Sequence, residues 1–251
     1  MSEENVISVT SSSGSFSWNF DSFDSEILEK KTAKILTFSP NNNEDDMRAL
    51  GQELVDSLLK ENVEYVIYKI APTNFSTIHL LEDLGFRIID GSLKLISTDL
   101  DGQENKNITT AHSEDLISLQ KLASESFSQT RYYNDPLVSK DNANKIYREW
   151  IKNSLSGEAA DMVLIWKEAD SVCGFLTLDK NGRIILIAVD KNQRGKGIGK
   201  ALVKSALAQF KKWGITESTI ETQMTNMLAL KTYHSCGFKI IESYLTFRWS
   251  K

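Results

Sequence analysis

The chain predicts an α/β (α+β) fold, and three observations carry that reading. Strand-type and helix-type patterns alternate along its length. An apolar strand, Ile184 to Val189, runs into a glycine-rich turn, Arg194-Gly195-Lys196-Gly197-Ile198-Gly199, that opens a helix. Finally, Gly85-Phe86-Arg87-Ile88-Ile89-Asp90 is similar to Gly237-Phe238-Lys239-Ile240-Ile241-Glu242, and Val63 through Asn74 to Ile215 through Asn226, both at a constant offset of 152 residues. Internal duplication explains that offset; two convergent strand-helix-glycine-strand units are the alternative.

Each element has a local reason. Lys34 to Phe38 reads as a strand, and Asp45 to Lys60 as a helix because Met47, Leu50, Leu54 and Leu58 share one face. Val63 to Ile70 is a strand and Phe75 to Leu84 a helix that Gly85 ends, since glycine accepts the left-handed cap. Phe86 to Ile96 returns as strand. The stretch Asp99 to Lys106 breaks the hydrophobic pattern and reads as a linker, dividing the chain at 1–100 and 106–251. Beyond it, Ile108 to Ala111 is a strand. Ser113 is placed to cap a helix with Glu114 and Asp115 in its first turn and Leu116, Leu119 and Ala123 on its apolar face. Phe127 to Pro136 is a polar and aromatic connection. Asp141 to Leu155 is helical, with Ala143, Ile146, Tyr147, Trp150 and Ile151 at three-and-four spacing. Strands Met162 to Lys167 and Val172 to Asp179 follow, and Asn181-Gly182 has the sequence of a type I′ hairpin leading into Arg183 to Asp190. Ile198, Ala201, Leu202 and Ala206 give the next helix a sheet-facing side, and Gly214 ends it.

Composition narrows the partners. The chain has 251 residues, 41% hydrophobic and 25% charged, with a net charge of −5, which disfavours nucleic acid and anionic membrane as partners. Two distant cysteines and three scattered histidines have no metal-ligand spacing, so no metal is expected and both thiols read as small buried hydrophobes. Met1 to Ser15 is acidic and serine-rich without an apolar core, so a cytoplasmic protein is expected.

The glycine turn is the chemical centre. Glycines 195, 197 and 199 strip side chains from a helix start, where unpaired N–H groups and the helix dipole favour an anion. No Gly-Lys-Ser/Thr ending is present for a P-loop, and a dinucleotide fold would place its acidic ribose partner after a second strand. Instead, the motif resembles the Gln/Arg-x-x-Gly-x-Gly/Ala signature of the GNAT N-acyltransferases. Asn226, Ala229, Tyr233 and Gly237-Phe238 repeat the Asn-x-x-Ala-x-x-x-Tyr-x-x-x-Gly-Phe spacing of that superfamily. The resemblance implies a GNAT fold: a central mixed, mostly antiparallel sheet flanked by helices. It implies acetyl-CoA as co-substrate, held by Ile187, Ala188, Val189, Arg194, Gly195, Lys196, Gly197, Ile198, Gly199, Lys200, Asn226 and Tyr233. In the first repeat, Asn41-Asn42-Asn43-Glu44-Asp45-Asp46 stands where the glycines should be, and carboxylates repel phosphate, so that copy is expected to bind no CoA.

A narrower resemblance spans most of the chain. Trp18-Asn19-Phe20-Asp21-Ser22-Phe23, Phe127-Ser128-Gln129-Thr130-Arg131-Tyr132, Asn134-Asp135-Pro136, Ile146-Tyr147-Arg148-Glu149-Trp150 and Thr222-Gln223-Met224-Thr225-Asn226 look like the TDP-fucosamine acetyltransferases. That family is similar in having an incomplete GNAT-like domain before a complete one, and it implies a nucleotide-linked 4-amino sugar as acceptor. Ser22-Phe23-Asp24 departs from its Phe-Phe-Gly. Arg131, whose fork suits an anion, is a candidate acceptor contact with Tyr132 and Gln223; a surface arginine is the alternative. Tyr233 is the candidate acid, with a core tyrosine as the alternative reading. Strand Ile184 to Val189 holds no base, so one must come from elsewhere: the resemblance implies Asp90, and Glu221 on the next strand is the second candidate. A protein or peptide amine, or CoA binding without turnover, stay open as other functions, and a homodimer as the assembly.

Overall fold

A computed structural model describes residues 6–41, 43–169 and 171–251. The chain parts into two compact units: Met1–Gly91 with Ser243–Lys251, and Ser92–Glu242. Neither boundary is at the stretch read as a linker. Ser97 Oγ donates to the Asp99 carbonyl, Gln103 N–H donates to Lys204 O at 3.1 Å, and a Cβ at Gly102 would lie 2.0 Å from the Ala208 nitrogen. Residues 99–104 are thus packed onto the helix that carries Lys204, and Gly102 is there because no side chain fits.

The first unit contains β1 (Ile7–Ser11), β2 (Gly14–Phe20), α1 (Ser22–Leu28), β3 (Thr32–Pro40), α2 (Glu44–Lys60), β4 (Tyr65–Ile70) and α3 (Phe75–Asp83). β1 and β2 pair antiparallel, as do β2 and β3, while β3 and β4 run parallel. Phe16, Trp18, Leu50, Leu54, Leu58, Val66, Phe86 and Phe247 fill its core. The predicted helix and strands stand within a few residues, and Asn43 caps α2 by accepting from Asp46 N–H at 2.7 Å. Asn42 lies outside the described residues, as do Met1–Asn5. The β1–β2 hairpin and α1 precede the first strand that the sequence reading placed, Lys34 to Phe38. Their signal is alternation: Phe16, Trp18 and Phe20 recur at period two after a Ser-Gly turn.

The second unit has β6 (Ile108–Thr110), α4 (Leu116–Ser126), α5 (Arg131–Asn134), α6 (Lys140–Leu155), β7 (Met162–Glu168), β8 (Ser171–Leu178), β9 (Arg183–Val189), α7 (Ile198–Lys212), β10 (Ser218–Gln223) and α8 (Met227–His234). β6 through β9 pair antiparallel in order, and β9 and β10 are parallel. Two long strands are divided between the units: β5 (Arg87–Ser97) changes at Gly91/Ser92 and β11 (Lys239–Ser250) at Glu242/Ser243. Leu176, Leu178, Ile184, Leu202, Val203, Phe210, Ile220 and Phe238 form the core on the α7 side.

Two local expectations are corrected. His112, not Ser113, caps the helical segment: its N–H donates to Asp115 Oδ2 at 2.9 Å, and Ser113–Asp115 is a 3₁₀ turn ahead of α4. The β8–β9 turn is not type I′, which needs positive φ at both central residues. Only Gly182, at φ +80°, is left-handed, and Gly182 N–H donates to Asp179 O. Asp179 Oδ1 accepts from the N–H groups of Asn181 and Arg183, so the aspartate builds the turn. No described helix is long and apolar enough to cross a membrane, and no three described His, Cys, Asp or Glu residues are grouped to hold a metal. Both cysteines are buried, and burial raises the pKa of each thiol.

Candidate active site

The site starts with a defect in β9. Thr177 pairs with Leu186 but Leu178 with Ile184, so Ile185 has no partner and forms a bulge. A bulge bends its strand. β9 meets β10 only at Arg183↔Thr219 and Ile184↔Ile220, so from Ile185 to Val189 the two parallel strands stand apart. The backbone facing that gap follows from alternation. Asp190 N–H donates to Cys173 O and Leu186 N–H to Thr177 Oγ1, each at 2.9 Å, so even-numbered residues address β8. Ala188, opposite Phe175, belongs to that set. The N–H and C=O of Ile187 and Val189 address the gap instead.

The glycine turn stands at the end of the same strand. Gly195 and Gly197 are left-handed, at φ +82° and +81°, and a Cβ on either would meet nothing within 4 Å. The space above this turn is open, and Gly197 is the N-cap of α7 without a capping side chain. Helical Gly199 is different: its Cβ would lie 3.7 Å from Val189 Cγ2 and 4.0 Å from Thr232 Cγ2, so α7 starts between the end of β9 and α8. Lys191, Arg194, Lys196 and Lys200 are exposed around the turn, a cationic rim on a chain of net negative charge. Arg194 Nε donates to Val189 O at 3.3 Å. Gly174 on β8 lets α7 seat on the sheet, since a Cβ there would lie 3.1 Å from Ile198 Cγ2.

Asn226 caps α8, accepting from Ala229 N–H at 3.2 Å and donating from Nδ2 to Thr222 Oγ1 at 3.3 Å. About two turns on, Tyr233 is 3% exposed, packs 6.2 Å from the Phe238 ring, and is held protonated because burial raises its phenol pKa well above the ordinary value. Gln223 ends β10, half-buried, with its carbonyl accepting from Asn226 N–H at 2.9 Å. The glycine turn, the end of β9 and α8, which Asn226 caps and which carries Tyr233, are thus neighbours in the second unit, with Gly199 between Val189 and Thr232.

Other sequence candidates stand elsewhere. Arg131 is half-buried on α5, its guanidinium 4.2 Å from the Tyr132 ring centroid and bonded to the Tyr132 hydroxyl. Tyr132 itself is 4% exposed and edge-on to Tyr147, which stacks on Phe127 at 4.4 Å and donates to Thr130 Oγ1. Its ring is buried, as that of Tyr233 is, while Arg131 is half-buried. Asp90 belongs to the first unit, and its Oδ1 accepts from Gly91 N–H at 2.9 Å. Glu221 is exposed on β10, in register with Lys94, which pairs with Glu242 at 3.3 Å.

Residues 118–238 match the model of the acetyltransferase (GNAT) family. A spore coat polysaccharide biosynthesis protein, SpsD, from Bacillus subtilis is 24% identical over 229 residues, covering 88% of this chain and 78% of its own. A dTDP-fucosamine acetyltransferase from Escherichia coli is 29% identical over 177 residues, covering 68% of this chain and 75% of its own. Among solved structures, a GCN5-related N-acetyltransferase from Sphaerobacter thermophilus superposes with a TM-score of 0.62 at 16% identity, over 94% of this chain and 77% of its own.

Proposed function

With residues 118–238 forming an acetyltransferase domain of the GNAT family, and the protein therefore an acyl-CoA-dependent N-acetyltransferase, we propose that it acetylates the amino group of a nucleotide-linked amino-deoxy sugar. One observation carries the choice of acceptor. The two relatives that match most of the chain are named for polysaccharide biosynthesis and for dTDP-fucosamine acetylation, and both matches are longer than the acetyltransferase domain. The test is thiol release from acetyl-CoA with a panel of nucleotide amino sugars, the free amino sugars and peptides. Turnover confined to peptides would overturn the sugar reading.

The residues divide the work as follows. Acetyl-CoA, the co-substrate of the GNAT family, supplies an activated acetyl thioester. The open turn at Gly195 and Gly197, with the first N–H groups of α7, suits a pyrophosphate, and Lys191, Arg194, Lys196 and Lys200 add attraction at its rim. The backbone of Ile187 and Val189 offers hydrogen bonds along the gap, and one of these N–H groups is the donor we assign to the charge that builds on the carbonyl oxygen. Asn226 holds the β10–α8 corner, its second Nδ2 hydrogen remaining for an amide of the pantetheine arm. Tyr233 is the hydrogen-bond donor to the departing sulfur.

The base must take a proton from an amine that, at a pKa of about 8, is only partly neutral at pH 7. We assign it to Glu221, which is exposed and on the strand that walls the gap, in preference to Asp90, whose carboxylate holds the Gly91 turn. Glu221→Gln is expected to lose most activity at low pH and to recover as pH rises and the free amine becomes neutral, while Asp90→Asn keeps the wild-type pH-rate profile. The reverse pattern would move the base to Asp90.

A further inference from the structure

The two repeats share geometry as well as spacing. Asn74 and Asn226 each cap a short helix, accepting from Thr77 and Ala229 N–H. Both helices close on a left-handed glycine, Gly85 at φ +88° and Gly237 at φ +93°, and the Phe86 and Phe238 N–H groups return to the carbonyls of Leu81 and Tyr233. The strand pairing obeys the same offset. β5 pairs antiparallel with β10 through Ser97↔Ser218, Leu95↔Ile220 and Leu93↔Thr222, while β11 pairs with β4 through Trp249↔Val66, Phe247↔Tyr68 and Leu245↔Ile70. Moving each residue by 152 turns the first set into the second.

The strand that follows each repeat's short helix therefore pairs with the other repeat's strand. β5 follows α3 yet pairs with β10; β11 follows α8 yet pairs with β4. We infer that the two copies exchange their closing strands, and that the first copy's contribution to the transferase is residues Ser92–Ser97. β10 has six register partners on β5 and only two on β9, because the gap needed for the donor removes the rest. Without Ser92–Ser97, β10 from Glu221 to Gln223 has no strand on either side, leaving backbone groups unpaired at the wall of the site. Leu95, 2% exposed in the core with Ile220, would leave a void as well. Neither 1–100 nor 106–251 is an autonomous domain on this reading, and the first copy is retained though it lacks the glycine turn.

The test cuts the whole chain once. A protease site inserted between Asn105 and Lys106 is cleaved after folding, once in the otherwise unchanged protein and once in a protein that also carries Ile96→Cys and Thr219→Cys, a register pair outside the site. The fragments of the protein cleaved without the two cysteines are expected to co-elute in native buffer and to bind CoA within about threefold of the uncut protein, and those of the double-cysteine protein to be joined by a disulfide on a non-reducing gel. Fragments that separate without denaturant, or a C-terminal fragment that binds CoA alone, would overturn the exchange. The association readout is independent of the functional reading: a protein that binds no CoA before cleavage but whose fragments stay linked refutes that reading and leaves the exchange standing.

Discussion

Gly197→Val is expected to weaken CoA binding by roughly 10²-fold, about 2.7 kcal/mol. Gly197 has φ +81°, and nothing in the protein lies within 4 Å of where its Cβ would be. The side chain would therefore enter the open space to which we assign the anion. The left-handed backbone adds its own penalty, on the order of 1–3 kcal/mol of fold stability for a β-branched residue. Loss of binding alone would be ambiguous between strain and blockage, and Gly214 resolves it. It follows the other end of α7 at φ +74° with equally open surroundings, so Gly214→Val carries similar strain away from the site. The two variants should melt alike and differ in CoA affinity by calorimetry. Equal affinities would remove the anion cradle from the glycine turn.

What the sequence discloses about this chain follows the range of each interaction. α2, α6 and α7 are legible because their apolar faces repeat and their ends carry local signals: Asn43 and Ser139 at the start of α2 and α6, and Gly214 after α7. The glycine turn is legible for the same reason, as its strand, turn and helix are contiguous. Strand partners are not local. Nothing near Leu93 or Leu95 states that they face Thr222 and Ile220, so a dip in hydrophobicity at 99–106 suggests a linker while the unit boundary falls inside β5. The direction of the Ala188 N–H depends on the Ile185 bulge, which Ile184-Ile185-Leu186 does not announce. Tyr132 is a similar case. Its burial against Tyr147, seventeen positions beyond Thr130, is set by a packing partner that its own motif does not contain.

Tyr233→Phe should lower kcat by roughly 10²-fold while KM for acetyl-CoA and the melting temperature hardly move. The substitution keeps the ring that packs beside Phe238 and in the α7-side core, so no cavity forms. Only the hydroxyl is lost. Burial raises the phenol pKa, and this decides which role is open to it. A base would have to be ionised, and a desolvated tyrosine is not ionised anywhere near neutral pH. The group is a standing donor, matched to a thiolate whose ordinary pKa is about 8.5. The same shift makes complete proton transfer from Tyr233 uphill, so the role we propose for it is a short hydrogen bond to the developing sulfur charge. It follows that kcat of the wild type should show no limb belonging to Tyr233 between pH 6 and about 10. Raising the pH also cannot restore the hydroxyl that Tyr233→Phe removes, which separates this variant from Glu221→Gln, whose activity returns as the amine becomes neutral. Wild-type turnover in the phenylalanine variant would reduce Tyr233 to a packing residue, and a tyrosine-dependent rise in rate with pH would make it a base after all.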